Sequence, residues 1–225
     1  MFPRIALVDP TLTYFLPTVI TAQTGFDALA HAVESYVSPR AQKLADMLAR
    51  DAMPVLLHSL PLALKEPNHA IAREQLALAS TSMGFNLSCV GTCLPHRLDK
   101  PLCALFPQIA HGRAIALFYP TWIAASWRGN PGRFAEIARL IEPALADVPL
   151  EHAAAACASS MEAFLDRIGL KGNLASLGVN LDEEVIAGLA GRVRGDLQVN
   201  PVGVGSEQVL DFFRALQTPF FGDDS

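Results

Sequence analysis

Residues 25–34 read G-F-D-A-L-A-H-A-V-E, inside a run from about 19 to 37 whose apolar positions recur at helical spacing. The run ends at Ser38-Pro39. Asp27 and His31 stand four residues apart, which places them on one helix face with Cβ atoms about 5–6 Å apart. A carboxylate oxygen and an imidazole nitrogen so placed can reach one cation, at about 2.0–2.2 Å each for a metal such as zinc. Taken alone, the pair is weak evidence and reads more simply as a surface contact or a cap.

The rest of the chain supplies a helical setting. It has 225 residues, of which 51% are hydrophobic and 17% charged, a profile that buries a sizeable core and excludes disorder. The net charge of −5, with no basic run, argues against nucleic acid. No uncharged apolar stretch reaches the roughly 18 residues of a membrane span, and the N-terminus has no signal-peptide core. The cysteines Cys89, Cys93, Cys103 and Cys157 lack C-x-x-C spacing. They read as buried thiols of a cytoplasmic chain without disulfides.

The expected fold is all-α: one multi-helix bundle over residues 1–225, with one short N-terminal strand at most, at residues 5–8. Further helices are expected over residues 44–60, kinked at Pro54 and stopped near Pro61, and over 70–85. Residues 89–105 form a helix broken by Pro95 and Pro101, and 112–127 a buried helix kinked at Pro120. Residues 133–146, 150–168, a segment from Leu181 capped by Asn180, and a stripe of Val209, Phe212, Phe213 and Leu216 complete the bundle. The tail G-D-D-S is expected to fray. No G-x-G-x-x-G follows a strand, so the chain shows no dinucleotide-binding half of its own.

Two more histidines give the opening pair its force. His96 stands in a helical segment, and His111 in a loop just before Gly112, with L-P-H-R-L-D-K-P-L-C-A-L-F-P-Q-I-A-H-G running through both. Each imidazole alone reads as a hydrogen-bonded, partly buried side chain. One carboxylate and three imidazoles together suit a divalent first-row metal, iron or zinc, better than calcium. Ligands on separate helices are usual where bundle interiors hold metals.

Four segments carry a resemblance: D-P-x-L-x-x-x-L-P from Asp9, T-G-F-D-A-L-A-H-A-V-E-S-Y-V-S from Thr24, H-x-x-x-K-P-L from His96, and A-H-G-R-A-I-A-L-F-Y-P from Ala110. In this order they resemble the metal-binding C-terminal domain of the iron-containing (group III) alcohol dehydrogenases, over nearly the whole chain. The resemblance implies that Asp27, His31, His96 and His111 hold Fe²⁺ or Zn²⁺. It also implies an all-helical domain packed against an N-terminal α/β domain that binds NAD(P), and an alcohol, aldehyde or ketone as substrate.

Three departures stand out. Where the family has a second His near the nicotinamide, thought to help move the proton, this chain has Lys100. Lys100 is therefore the candidate catalytic donor if its pKa is lowered, and otherwise pairs with Asp99 or is solvated. The spacing into His111 is one residue longer, with F-P-Q-I-A before it. The nucleotide-binding domain is absent from this chain, which makes it a fragment, a truncated product or a domain standing alone.

Phe85, Phe106 and Trp122 read as core residues or pocket walls, and Glu34 as an exposed carboxylate or a support for a ligand. The leading function is the metal half of an NAD(P)-dependent alcohol dehydrogenase, inactive by itself. A non-catalytic helical metal-binding or interaction domain is the alternative, and a metal-dependent hydrolase or lyase has no motif in support. Apolar surface left by a missing domain favours self-association as a homo-oligomer.

Overall fold

Pro17 precedes the helix around which the others pack. In the computed structural model, which describes residues 3–218, α1 spans Thr18–Val37 and ends at Ser38, just before Pro39. From Ala28 onward every residue of α1 except His31 is buried, so this helix is enclosed rather than one-sided. Its alanines let α2 (Lys43–Lys65), α3 (Ala70–Val90) and α5 (His111–Ser126) lie close. α4 (Pro95–Leu105) packs on α5. A second group, α6 (Pro131–Ile141), α7 (Leu150–Ala155) and α8 (Cys157–Arg167), covers the far side of α5. α9 (Glu183–Ala190) and α10 (Ser206–Ala215) pair with each other, and Phe213 of α10 meets Phe118 edge-on.

The described residues contain helices and no strand. The apolar run at residues 5–8 is irregular and exposed, with Leu7 94% accessible. Its β-type composition finds no second strand to supply ladder bonds. Asp9 instead accepts hydrogen bonds from the backbone and hydroxyl of Thr11 and caps a 3-10 turn, Pro10–Thr13.

Pro61 does not stop α2, which runs through both Pro54 and Pro61. Each proline costs about 3 kcal/mol or more in a helix interior. Met53, Leu56, Leu60 and Ala63 are buried on this helix, and a large side chain gains about 1.5–3 kcal/mol on burial. Packing against α1 and α3 therefore holds the helix together.

The region from Cys89 breaks as proline placement suggests. α3 continues to Val90 and is closed by Gly91 at φ +79°, a conformation open to glycine. α4 restarts with Pro95 in its first turn, where a missing N–H costs nothing. The expected helix over 150–168 is two helices, parted at Ala156 where ψ turns to −9°. The cap of α9 is Asp182, whose side chain accepts from the Val185 amide, rather than Asn180. All four cysteines are unpaired, but Cys89 is exposed and Cys103 only half-buried. The G-D-D-S tail lies outside the described residues.

Gly112 decides how α1 and α5 meet. A Cβ there would lie 2.2 Å from the backbone oxygen of Gln23, so only glycine permits this approach. The contact seats the N-terminus of α5 beside the middle of α1. Arg133 of α6 ties in α2 through a two-pronged pair with Asp46, both contacts at 2.7 Å, and also reaches the Tyr36 carbonyl.

Candidate metal centre

Three elements bring the candidate residues together. Asp27 and His31 come from one face of α1, His96 from the first turn of α4, and His111 is the first residue of α5 rather than a loop residue. Nε2 of His96 lies 3.1 Å from Oδ1 of Asp27, and Nε2 of His111 lies 3.3 Å from the same oxygen. The donor atoms of Asp27, His96 and His111 all fall within 4.8 Å of one another. Ligands about 2.1 Å from a tetrahedral ion stand roughly 3.4 Å apart, so the donor chemistry and spacing fit a divalent first-row metal.

His31 sits beside this group and not within it. Its ring stacks on His96 with centroids 4.4 Å apart, and its Nδ1 is 3.8 Å from Oδ2 of Asp27.

Each converging imidazole is backed by a second carboxylate. Oε1 of Glu34 lies 2.7 Å from Nδ1 of His96, and Oδ2 of Asp99 lies 2.6 Å from Nδ1 of His111. Both carboxylates accept, so both Nδ1 atoms carry hydrogen and both Nε2 atoms face Asp27. Glu34 is fully buried, contrary to its reading as an exposed helix carboxylate. Its other oxygen accepts the backbone N–H of Cys93 at 2.7 Å. Asp27, His31 and Glu34 form one stripe at i, i+4 and i+7, and that stripe was the available sequence signal for Glu34. Asp99 carries no comparable signal, since the opposite charge nearest in sequence is Lys100 while its partner lies on α5.

The cluster shapes its own protonation in the absence of metal. Burial pushes the Asp27 carboxyl up, but hydrogen bonds from His111 and His96 prevail and hold it well below the usual range. Burial disfavours charge on His96, yet the Glu34 charge and the bonds to Asp27 and Glu34 raise it to about 10. Hydrogen bonds to Asp27 and Asp99 raise His111 to about 9. His31 moves down, first through burial and then through the charge of His96.

Lys100 is exposed and makes no ion pair with Asp99 among the described residues. Trp122 is wholly in the core, donating its indole N–H to Asn200 at 2.7 Å. Phe85 is 67% accessible and so is not a core residue, and Phe106 is half-buried against the core.

With the donor set in place, the chain matches the model of the Fe-containing alcohol dehydrogenase family, C-terminal, over residues 21–217. The chain belongs to the Fe-containing alcohol dehydrogenase family. It is 31% identical to the probable alcohol dehydrogenase EutG of Salmonella typhimurium over 216 residues, 96% of this chain and 53% of that protein. It is 29% identical to the 1,3-propanediol dehydrogenase of Klebsiella pneumoniae, covering 94% of this chain and 54% of the relative. Among solved structures, a 1,3-propanediol oxidoreductase superposes with a TM-score of 0.85 at 29% identity, over 92% of this chain and 54% of that one. The sulfoacetaldehyde reductase of Bifidobacterium kashiwanohense, crystallised with NAD⁺, gives a TM-score of 0.81 at 31% identity, over 96% of this chain and 55% of that one. The chain thus spans about half the length of these relatives, and the model it matches is the family's C-terminal one. No helix among the described residues is long and apolar enough to cross a membrane.

Proposed function

We propose that this chain is the metal-holding half of an alcohol dehydrogenase that interconverts an alcohol with an aldehyde or ketone. Its nicotinamide, NAD or NADP, comes from a nucleotide-binding domain outside these 225 residues. The single observation that carries the reading is the convergence of Oδ1 of Asp27 with Nε2 of His96 and of His111.

Asp27, His96 and His111 would hold Fe²⁺ or Zn²⁺, with His31 turning inward from its stacked position as the fourth donor. When bound, such a cation supplies Lewis-acid polarisation of the substrate's hydroxyl or carbonyl oxygen. Glu34 and Asp99 keep hydrogen on the Nδ1 atoms, so the proton each ring would give up to a cation is the one on Nε2, facing Asp27. Lys100, one turn beyond His96, holds the position where the family has a His; exposed in this domain, it would take the proton-donor role only where the nucleotide-binding domain covers it. Substrates are small alcohols or aldehydes, as the relatives' names suggest, with no part for nucleic acid or membrane. Four unpaired cysteines favour the cytoplasm. The exposed side chains of Leu7, Phe15, Leu78 and Phe85 favour self-association.

Elemental analysis of the purified protein tests the centre. The parent is expected to carry about one iron or zinc per chain, and His96→Ala and His111→Ala to lose it. Retention of stoichiometric metal by either variant contradicts the assignment.

A further inference from the structure

Asp99 follows His96 by three residues on α4 and is 2% exposed. Its Oδ2 faces Nδ1 of His111 at 2.6 Å, while its Oδ1 is buried with no hydrogen-bond partner. A buried carboxylate with one idle oxygen is unfavourable unless positive charge stands close by. Lys100 does not supply that charge, being exposed and unpaired with Asp99. The group that faces Asp99 is the His111 ring, whose other nitrogen, Nε2, stands 3.3 Å from Oδ1 of Asp27.

His96 and His111 differ in how they are held. The His96 side chain is 7% exposed and stacked on His31, so packing constrains its ring as much as Glu34 does. The His111 side chain is 50% exposed and opens a helix, and its hydrogen bond to Asp99 is the short contact that orients it. An imidazole with one nitrogen on a carboxylate has both its tautomer and its ring plane fixed for a cation at the other nitrogen.

We propose that Asp99 is a positioning residue of the metal centre: it accepts the Nδ1 hydrogen of His111 and holds that half-exposed ring with Nε2 turned to Asp27. The inference rests on the metal reading above and deepens it. Glu34 and Asp99 then form a matched pair, one carboxylate behind each imidazole, with Asp99 guarding the looser ring.

The test uses Asp99→Asn, which keeps shape and burial, and Asp99→Ala, with the exposed Asp196→Asn as control. Zinc affinity is measured by chelator competition, and the His111 Nδ1 hydrogen of the zinc-loaded protein by NMR. Both Asp99 variants are expected to bind zinc ~10–100-fold more weakly. The downfield, slowly exchanging Nδ1 resonance is expected to vanish in Asp99→Ala and to move upfield in Asp99→Asn. A purely structural Asp99 would alter thermal unfolding but leave that resonance in place. Should Asp99→Ala fail to fold, Asp99→Asn decides. Parent-like affinity with an unshifted resonance in a folded variant overturns the proposal alone, whereas a parent that binds no zinc overturns it together with the metal reading.

Discussion

Gly112→Ala is the smallest change that separates the two helices carrying Asp27 and His111. The added methyl would stand 2.2 Å from the Gln23 backbone oxygen and 2.7 Å from its carbonyl carbon, atoms that cannot swing away as a side chain would. Restoring an ordinary carbon–oxygen contact of about 3.3 Å from that 2.2 Å parts α1 from α5 by about 1 Å. Overpacking of this kind costs about 1–3 kcal/mol. Replacing a helical glycine by alanine returns about 0.5–1 kcal/mol, so a net loss of about 0–2.5 kcal/mol is expected. His111 moves with its neighbour, and its Nε2, now 3.3 Å from Oδ1 of Asp27, recedes. Zinc affinity should fall by ~10–100-fold, as when a supporting contact is lost. Gly84 supplies the contrast: a Cβ there meets nothing within 4 Å, so Gly84→Ala should stabilise by about 0.5–1 kcal/mol. Urea unfolding of the metal-free proteins and chelator competition read both effects. A Gly112→Ala protein as stable as the parent, with unchanged zinc affinity, refutes the close-approach argument.

Trp122→Ala should cost about 3–5 kcal/mol, because it empties a fully buried site and strips Asn200 of the indole donor. An unfolding midpoint within experimental error of the parent counts against that role. In metal-free protein, the surrounding carboxylates raise His96 to about 10 and His111 to about 9, from the usual 6.5. Their contribution to folding is complete below pH 6.5 and is lost as pH rises through 9 to 10, so metal-free Tm should fall across that window. Zinc affinity should strengthen over the same range, since the cation needs the nitrogens unprotonated. A flat metal-free Tm with pH-independent zinc binding opposes this account.

What could be read from the chain depended on how local each cause was. Asp27 and His31 share a helix, so their common face follows from spacing alone. His31 nevertheless stacks on His96, and a ring rotation set by another helix has no trace in the spacing. Glu34 is buried because His96 and the Cys93 amide, some 60 residues away, satisfy it. Asp99 likewise pairs across to α5 rather than with adjacent Lys100. Residues 5–8 show the reverse error, a strand-like composition with nothing to pair with. Pro61 misled because the burial of Leu60 and Ala63 outweighed a local breaker. The family motifs named residues that the fold brings together, while the hydrogen bonds around them follow only from the packing of α1, α4 and α5.

The bond between His96 and Asp27 joins residues 69 apart in sequence. An unfolded chain therefore offers a cation only scattered, competing donors, and the assembled pocket exists solely in the finished fold. Any ion that selects the folded form draws the folding equilibrium with it, by about 2.7 kcal/mol when its free concentration is a hundred times the dissociation constant. On the proposed metal reading, supply of a divalent metal in the surroundings would thus lengthen the time each copy of this protein survives proteolysis, apart from any part the ion plays in turnover.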